Sequence, residues 1–105
     1  MSKTILISGA SSGFGALTAR ALADDGQTVY AGMRDIHSRN AAAAAAAVQY
    51  AFDHSVDIRP VELDIKSDES ARRAVQTVIE ASQRLDVLIH NAGRLAGGPA
   101  EAFSP

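Results

Sequence analysis

Apolar residues in this chain fall into short runs separated by helical stripes, and the alternation repeats from end to end. Ile5-Leu6-Ile7, within Lys3 to Ser8, shows no polar alternation, which predicts a strand buried on both faces, as in a parallel sheet. Phe14, Leu17, Ala21 and Leu22 form the next stripe and predict a helix docked through those residues, with Gly26 placed for a left-handed cap. Asp24-Asp25 at that end reads as a solvated face, because the helix dipole disfavours negative charge there. Thr28 to Met33, β-branched and aromatic at its start, predicts a second strand. A helix is expected from about Ser38 to Asp53; it contains the run Ala41 to Ala47, to which no function is assigned. Val48 and Phe52, four apart, are expected to dock it on the sheet.

Val56 to Leu63 predicts a third strand, interrupted at Pro60. Ser67 is a good N-cap ahead of Asp68 and Glu69, and Ala71, Ala74, Val75, Val78 and Ile79 mark the buried stripe of the following helix, leaving Arg72 and Arg73 to solvent. Asp86 to His90 predicts a short, buried fourth strand. The result is a βαβαβαβ unit of the α/β class with a parallel sheet and right-handed crossovers. In a doubly wound sheet of strand order 3-2-1-4, ligands bind beyond the carboxyl ends, where the order reverses. The glycine turn Ser8 to Gly15, Met33-Arg34-Asp35, Asp64-Ile65 and Asn91-Ala92-Gly93 each follow a strand directly, so all four are expected on that one edge.

The glycine turn carries the most chemistry. A strand, a glycine turn and a helix N-terminus aim backbone N–H groups and the positive end of the helix dipole at one point, where a pyrophosphate can sit. Gly9 suits a tight turn, Gly13 a close ligand approach, and Gly15 close packing of helix on strand. The pattern Gly9-x-x-x-Gly13-x-Gly15 resembles the glycine motif of the short-chain dehydrogenase/reductase family, although that family usually has Thr at the place of Ser8 and often Ile at that of Phe14. The resemblance implies the N-terminal part of a single Rossmann-type dinucleotide-binding domain over residues 1–105. It implies cofactor contacts at Gly9, Ser11, Ser12, Gly13, Phe14 and Gly15. Asp64 and Ile65 resemble the family's residues at the adenine ring, and Asn91, Ala92 and Gly93 resemble its Asn-Ala-Gly segment, with His90 where many members have a second Asn.

Cofactor choice turns on the end of the second strand. An acidic residue there bonds the ribose 2′-OH and repels a 2′-phosphate, whereas an arginine attracts that phosphate. Met33 falls where NAD-preferring relatives carry Asp, and Arg34 follows as in many NADP-preferring ones, so NADP(H) is favoured, with Ser12 as a further hydroxyl to the same phosphate. Asp35 keeps NAD(H) open, because it lies about 20 residues past the glycines, the spacing of the ribose acid.

The family's Tyr-x-x-x-Lys catalytic motif is missing: Tyr30 is followed four residues later by Arg34, and Tyr50 by His54. No catalytic residue is therefore assigned in this chain. Ser104-Pro105 reads as the start of a helix, and the chain is expected to be truncated there. The implied activity is interconversion of a carbonyl and an alcohol by hydride transfer, with a non-catalytic nucleotide-binding module and an engineered or structural fragment as the alternatives. A net charge of −2 argues against nucleic acid or an anionic membrane surface as partner. The three histidines lack metal-site spacing, and there is no cysteine. Met-Ser-Lys leading straight into a strand, and the lack of a long apolar run, make a cytoplasmic protein the expectation. The family is often dimeric or tetrameric, which makes a homo-oligomer one option and leaves the oligomeric state open; the substrate is not legible.

Overall fold

A computed structural model describes residues 2–91. In chain order the elements are β1 (Thr4–Ile7), α1 (Gly13–Asp24), β2 (Thr28–Met33), α2 (Ala41–His54), β3 (Asp57–Glu62), α3 (Asp68–Ser82) and β4 (Val87–Ile89). The strands are all parallel, in the order β3-β2-β1-β4, as the doubly wound pattern predicts. β1 and all of β2 after Thr28 are buried, in keeping with central strands covered on both faces, whereas β4, at the edge of the described sheet, is not buried as expected and leaves Leu88 60% exposed.

The period-two alternation of the strands divides the core into two layers. Ile7, Val29, Ala31, Met33 and Ile58 face α1 and α2, while Leu6, Tyr30, Val61 and Leu63 face α3. Against α3 the expected stripe packs through Ala71, Ala74, Val75 and Val78, but Ile79 at its end is exposed. Arg72 and Arg73 are exposed, as expected, and Arg73 pairs with Glu69 one turn earlier.

On the other layer the buried helix faces differ from the expectation. Phe14 and Leu17 are 58% and 63% exposed and Ala21 is exposed as well; α1 is buried through Gly15, Ala19 and Ala23, with Leu22 partly covered. Likewise Val48 and Phe52 do not dock α2, being 53% and 81% exposed; Ala43, Ala44, Ala47 and Ala51 pack there instead. A helix that lies close on a sheet admits only small side chains at the contact, and large apolar residues four apart are displaced to the opposite side. The alanine run, assigned no function from sequence, thus supplies part of the packing face of α2.

Local signals set the helix ends. α1 closes in a Schellman arrangement: Gly26, at φ +93°, donates to the Ala23 carbonyl at 2.9 Å and Gln27 to that of Leu22 at 3.1 Å. Asp24 and Asp25 are exposed, and Asp24 accepts the Tyr50 hydroxyl at 2.7 Å, joining α1 to α2. Ser67 caps α3, its hydroxyl accepting the Ser70 N–H at 3.1 Å. Pro60 does not interrupt β3: it pairs with Ala31 in continuous register. Among the described residues β3 is an edge strand, paired with β2 alone, and an edge strand tolerates a missing N–H.

Candidate functional site

At the end of β1 the chain must turn sharply before entering α1, and the turn is made by backbone only glycine adopts easily. Gly9 has φ +65° and Gly13 φ +61°. The turn is tied to both neighbouring strands. Ala10 donates to the Gly32 carbonyl at 2.9 Å, and Ser8 donates to that of Ile89 at 2.9 Å. The buried Ser8 hydroxyl accepts the Asn91 N–H at 2.9 Å, and it lies 3.3 Å from both the Asn91 carbonyl and His90 Nδ1. Serine therefore supplies the hydroxyl that the usual threonine would bring.

A β-carbon test separates the glycines by role. At Gly15 an added Cβ would lie 2.0 Å from the Gly9 carbonyl oxygen, and at Gly9 one would lie 2.5 Å from the Asn91 carbonyl oxygen. At Gly13 it would meet nothing within 4 Å. An added Cβ is thus blocked at Gly9 and Gly15, whereas at Gly13 it would face open space.

That space is a cleft of about 640 Å³ along the carboxyl edge of the sheet. Gly9, Ser11, Ser12, Gly13 and Phe14 form one wall. Arg34 lines it from the end of β2, Asp64 and Ile65 from the end of β3, and Asn91 from the end of β4. Four loops far apart in sequence meet here, as expected. Gly15 lies under the wall, and Ala92 and Gly93 fall outside the described residues.

Ser12 is the N-cap of α1, yet its side chain makes no capping hydrogen bond. First-turn N–H groups of a helix have no acceptor inside the helix, so the N-terminus of α1 presents donors and the positive dipole end to the cleft. This arrangement fits a phosphate: donors converge, and the absent Cβ at Gly13 leaves room to approach them. Asp64 is also committed locally, its Oδ1 accepting the Lys66 N–H at 2.9 Å to close the turn into α3.

At the end of β2 the two candidates part. Arg34 lines the cleft; Asp35 does not, and its carboxylate lies 3.9 Å from the Arg39 guanidinium instead. Asp35 also has a left-handed backbone, φ 51°.

The sequence reading missed Leu17, Asn40 and Lys66, which also line the cleft. Leu17 sits one turn after Phe14, so helical spacing alone would have paired them on the open side once Gly15 was placed underneath. Lys66 follows Asp64-Ile65 directly, and no motif marks it. Asn40 is held in place by donating to the Arg34 carbonyl at 2.6 Å.

Among the described residues four side chains have displaced pKa values, and none of the four lines the cleft. Donation to Asp24 raises the Tyr50 phenol, hydrogen bonding to Asp57 raises the Arg59 guanidinium, Asp86 raises Arg84, and Arg84 lowers the Asp86 carboxyl. Tyr30 is buried, its hydroxyl 2.6 Å from that of Ser82. Among the described residues there is no group of three or more His, Cys, Asp or Glu able to hold a metal, and no helix long and apolar enough to cross a membrane.

Comparison with known proteins agrees with this geometry. The profile of the short chain dehydrogenase family matches residues 3–105. Estradiol 17-beta-dehydrogenase 1 of Rattus norvegicus is 41% identical over 104 residues, covering 96% of this chain and 29% of that protein. The short-chain dehydrogenase/reductase prx1 of Penicillium roqueforti is 39% identical over 94 residues, 90% of this chain and 26% of that protein. Among solved structures, an alcohol dehydrogenase from Thermococcus sibiricus complexed with 5-hydroxy-NADP superposes with a TM-score of 0.72 at 30% identity, covering 84% of this chain and 36% of that one. The chain spans about a quarter to a third of the length of these relatives. With the family profile matching residues 3–105, this chain belongs to the short-chain dehydrogenase family.

Proposed function

We propose that this chain forms the adenosine and pyrophosphate side of the cofactor site of an NAD(P)-dependent oxidoreductase interconverting a carbonyl and an alcohol, and that NADP(H) is preferred. The observation that carries the reading is the convergence of four strand-end loops and the N-terminus of α1 on one cleft. Gly13 and the first-turn N–H groups of α1 would hold the cofactor's pyrophosphate, Asp64 and Ile65 would hold its adenine, and Asn91 would support the glycine turn from the end of β4. Bound there, the nicotinamide cofactor supplies or accepts the hydride. The relatives named for reactions support the chemistry: one is an estradiol dehydrogenase, and another, 38% identical over 97 residues, is the 3-ketodihydrosphingosine reductase of Bacteroides thetaiotaomicron.

Arg34 supports the choice of phosphorylated cofactor. It lines the cleft while Asp35 pairs elsewhere, so the end of β2 offers a guanidinium to a 2′-phosphate rather than a carboxylate to a 2′-OH. Lys66 also lines the cleft and adds a second cation. The same structural relative with bound 5-hydroxy-NADP agrees. A hydrogen bond to a charged group contributes about 1.5–3 kcal/mol, or about 10- to 100-fold in affinity. Arg34→Ala in the full-length protein is therefore expected to weaken NADPH binding by that factor and leave NADH binding near its parent value. Equal losses for both dinucleotides would overturn the preference.

A further inference from the structure

Glu62, the last residue of β3, lies opposite Met33 in register at the end of β2. Its carboxylate reaches past the end of β2 to the turn before α2 and accepts two successive backbone N–H groups, Asp35 at 3.0 Å on Oε2 and Ile36 at 3.1 Å on Oε1. Successive N–H groups in a tight turn make a small anion-binding concavity, and here a side chain of the same chain fills it. The turn is closed from the other side as well: Asn40 Nδ2 donates to the Arg34 carbonyl at 2.6 Å, and its N–H donates to the Asp35 carbonyl at 2.9 Å. Between these ties Asp35 takes the left-handed backbone, φ 51°, that non-glycine residues seldom adopt without support.

We infer that Glu62 is a positioning residue for cofactor choice: by holding the Asp35 and Ile36 amides it keeps Asp35 out of the cleft and leaves Arg34 as the member of the pair that lines it. The inference rests on the proposed preference for NADP(H) through Arg34. It also assigns 2′-phosphate recognition to side chains, since Glu62 already occupies the two turn amides that could have served an anion. Without Glu62 the turn is free to leave the left-handed conformation, and the register that separates Arg34 from Asp35 is lost.

The test is a set of four full-length proteins, the parent, Arg34→Ala, Glu62→Ala and the double variant, titrated with NADPH and with NADH, each checked for folding by circular dichroism. Glu62→Ala is expected to lower the NADPH-over-NADH affinity ratio about tenfold, mainly through NADPH, and to change the ratio no further once Arg34 is gone. A purely structural role would weaken both dinucleotides alike and leave the ratio unmoved, which overturns the inference. If Arg34→Ala moves the ratio and Glu62→Ala does not, the inference fails while the NADP(H) reading stands; if Arg34→Ala itself leaves the ratio unchanged, that underlying reading fails first. Should Glu62→Ala not fold, Glu62→Gln, which keeps one acceptor oxygen, carries the test: a smaller shift in the same direction supports the inference, and an unchanged ratio overturns it.

Discussion

The side-chain amide of Asn91 donates to the carbonyl oxygen of Gly9 at 3.1 Å, joining the end of β4 to the first residue of the glycine turn. A Cβ on Gly15 would stand 2.6 Å from that same amide nitrogen, so three residues from three parts of the chain share one tightly filled volume. Gly15→Ala cannot be absorbed by a side-chain rotation, because its nearest neighbour is backbone. It is expected to cost about 3 kcal/mol or more in stability. Gly13→Ala meets no obstacle and incurs only its left-handed backbone, about 1–2 kcal/mol, while placing a methyl group where the ligand approaches. Urea denaturation of both variants checks the order: if Gly13→Ala is the more damaging to stability, the division of roles between the glycines is wrong.

Alanine and glycine do most of the seating of α1 and α2 on the sheet, with Leu22 and Tyr50 partly buried against the same core layer. Ala23→Leu should therefore overpack the interface at a cost of about 1–3 kcal/mol. Phe52→Ser, on the open side of α2, should change stability by no more than about 0.5 kcal/mol. A large loss with Phe52→Ser would show that this side chain is covered in the full-length protein.

These two cases also show what the sequence could and could not convey. Element order and the four strand-end loops were legible because their signals are local: the unbroken apolar run of β1, the glycines, the Ser67 cap, and polar residues directly after each strand. The buried faces of α1 and α2 were not. Large apolar residues such as Phe14 and Phe52 dominate a hydrophobic pattern, whereas the available space selects alanine and glycine, and space depends on how near the helix lies to the sheet. Leu17 and Phe14 line the cleft, and periodicity does not distinguish apolar residues of a cleft from those of a core. Glu62 was illegible for a different reason: its role follows from pairing between β2 and β3, and nothing in its own neighbourhood marks it.

α3 ends at Gln83, a left-handed residue with φ 61° that is not glycine. Left-handed backbone costs a residue with a Cβ about 1–2 kcal/mol, partly offset in glycine by its greater freedom when unfolded. Gln83→Gly is expected to stabilise the protein by about 0.5–1 kcal/mol, read as a higher urea midpoint. A fall in the midpoint would mean that the glutamine side chain makes a contribution larger than its strain.

Asp86 makes the fold sensitive to acid. Arg84, with its guanidinium nitrogen at 2.8 Å, and the Thr4 N–H, also at 2.8 Å, hold its carboxyl below the usual carboxylate range. With the folded value depressed below the unfolded value of about 3.9, the unfolded chain binds its proton first as pH falls. The stabilisation is therefore complete above that value and is lost as pH drops through the folded one. Asp86→Asn should lower the urea midpoint near neutral pH, and the gap to the parent should close in acid. A gap that stays constant down to about pH 2 would remove Asp86 from the acid response.

Calorimetric titration of the full-length protein with NADPH and with NADH tests the central claim most directly. Saturable binding of one dinucleotide per chain, with NADPH the tighter, is the expected result. A folded sample that binds neither would contradict the assignment of the cleft, and NADH binding as tightly as NADPH would contradict the role given to Arg34.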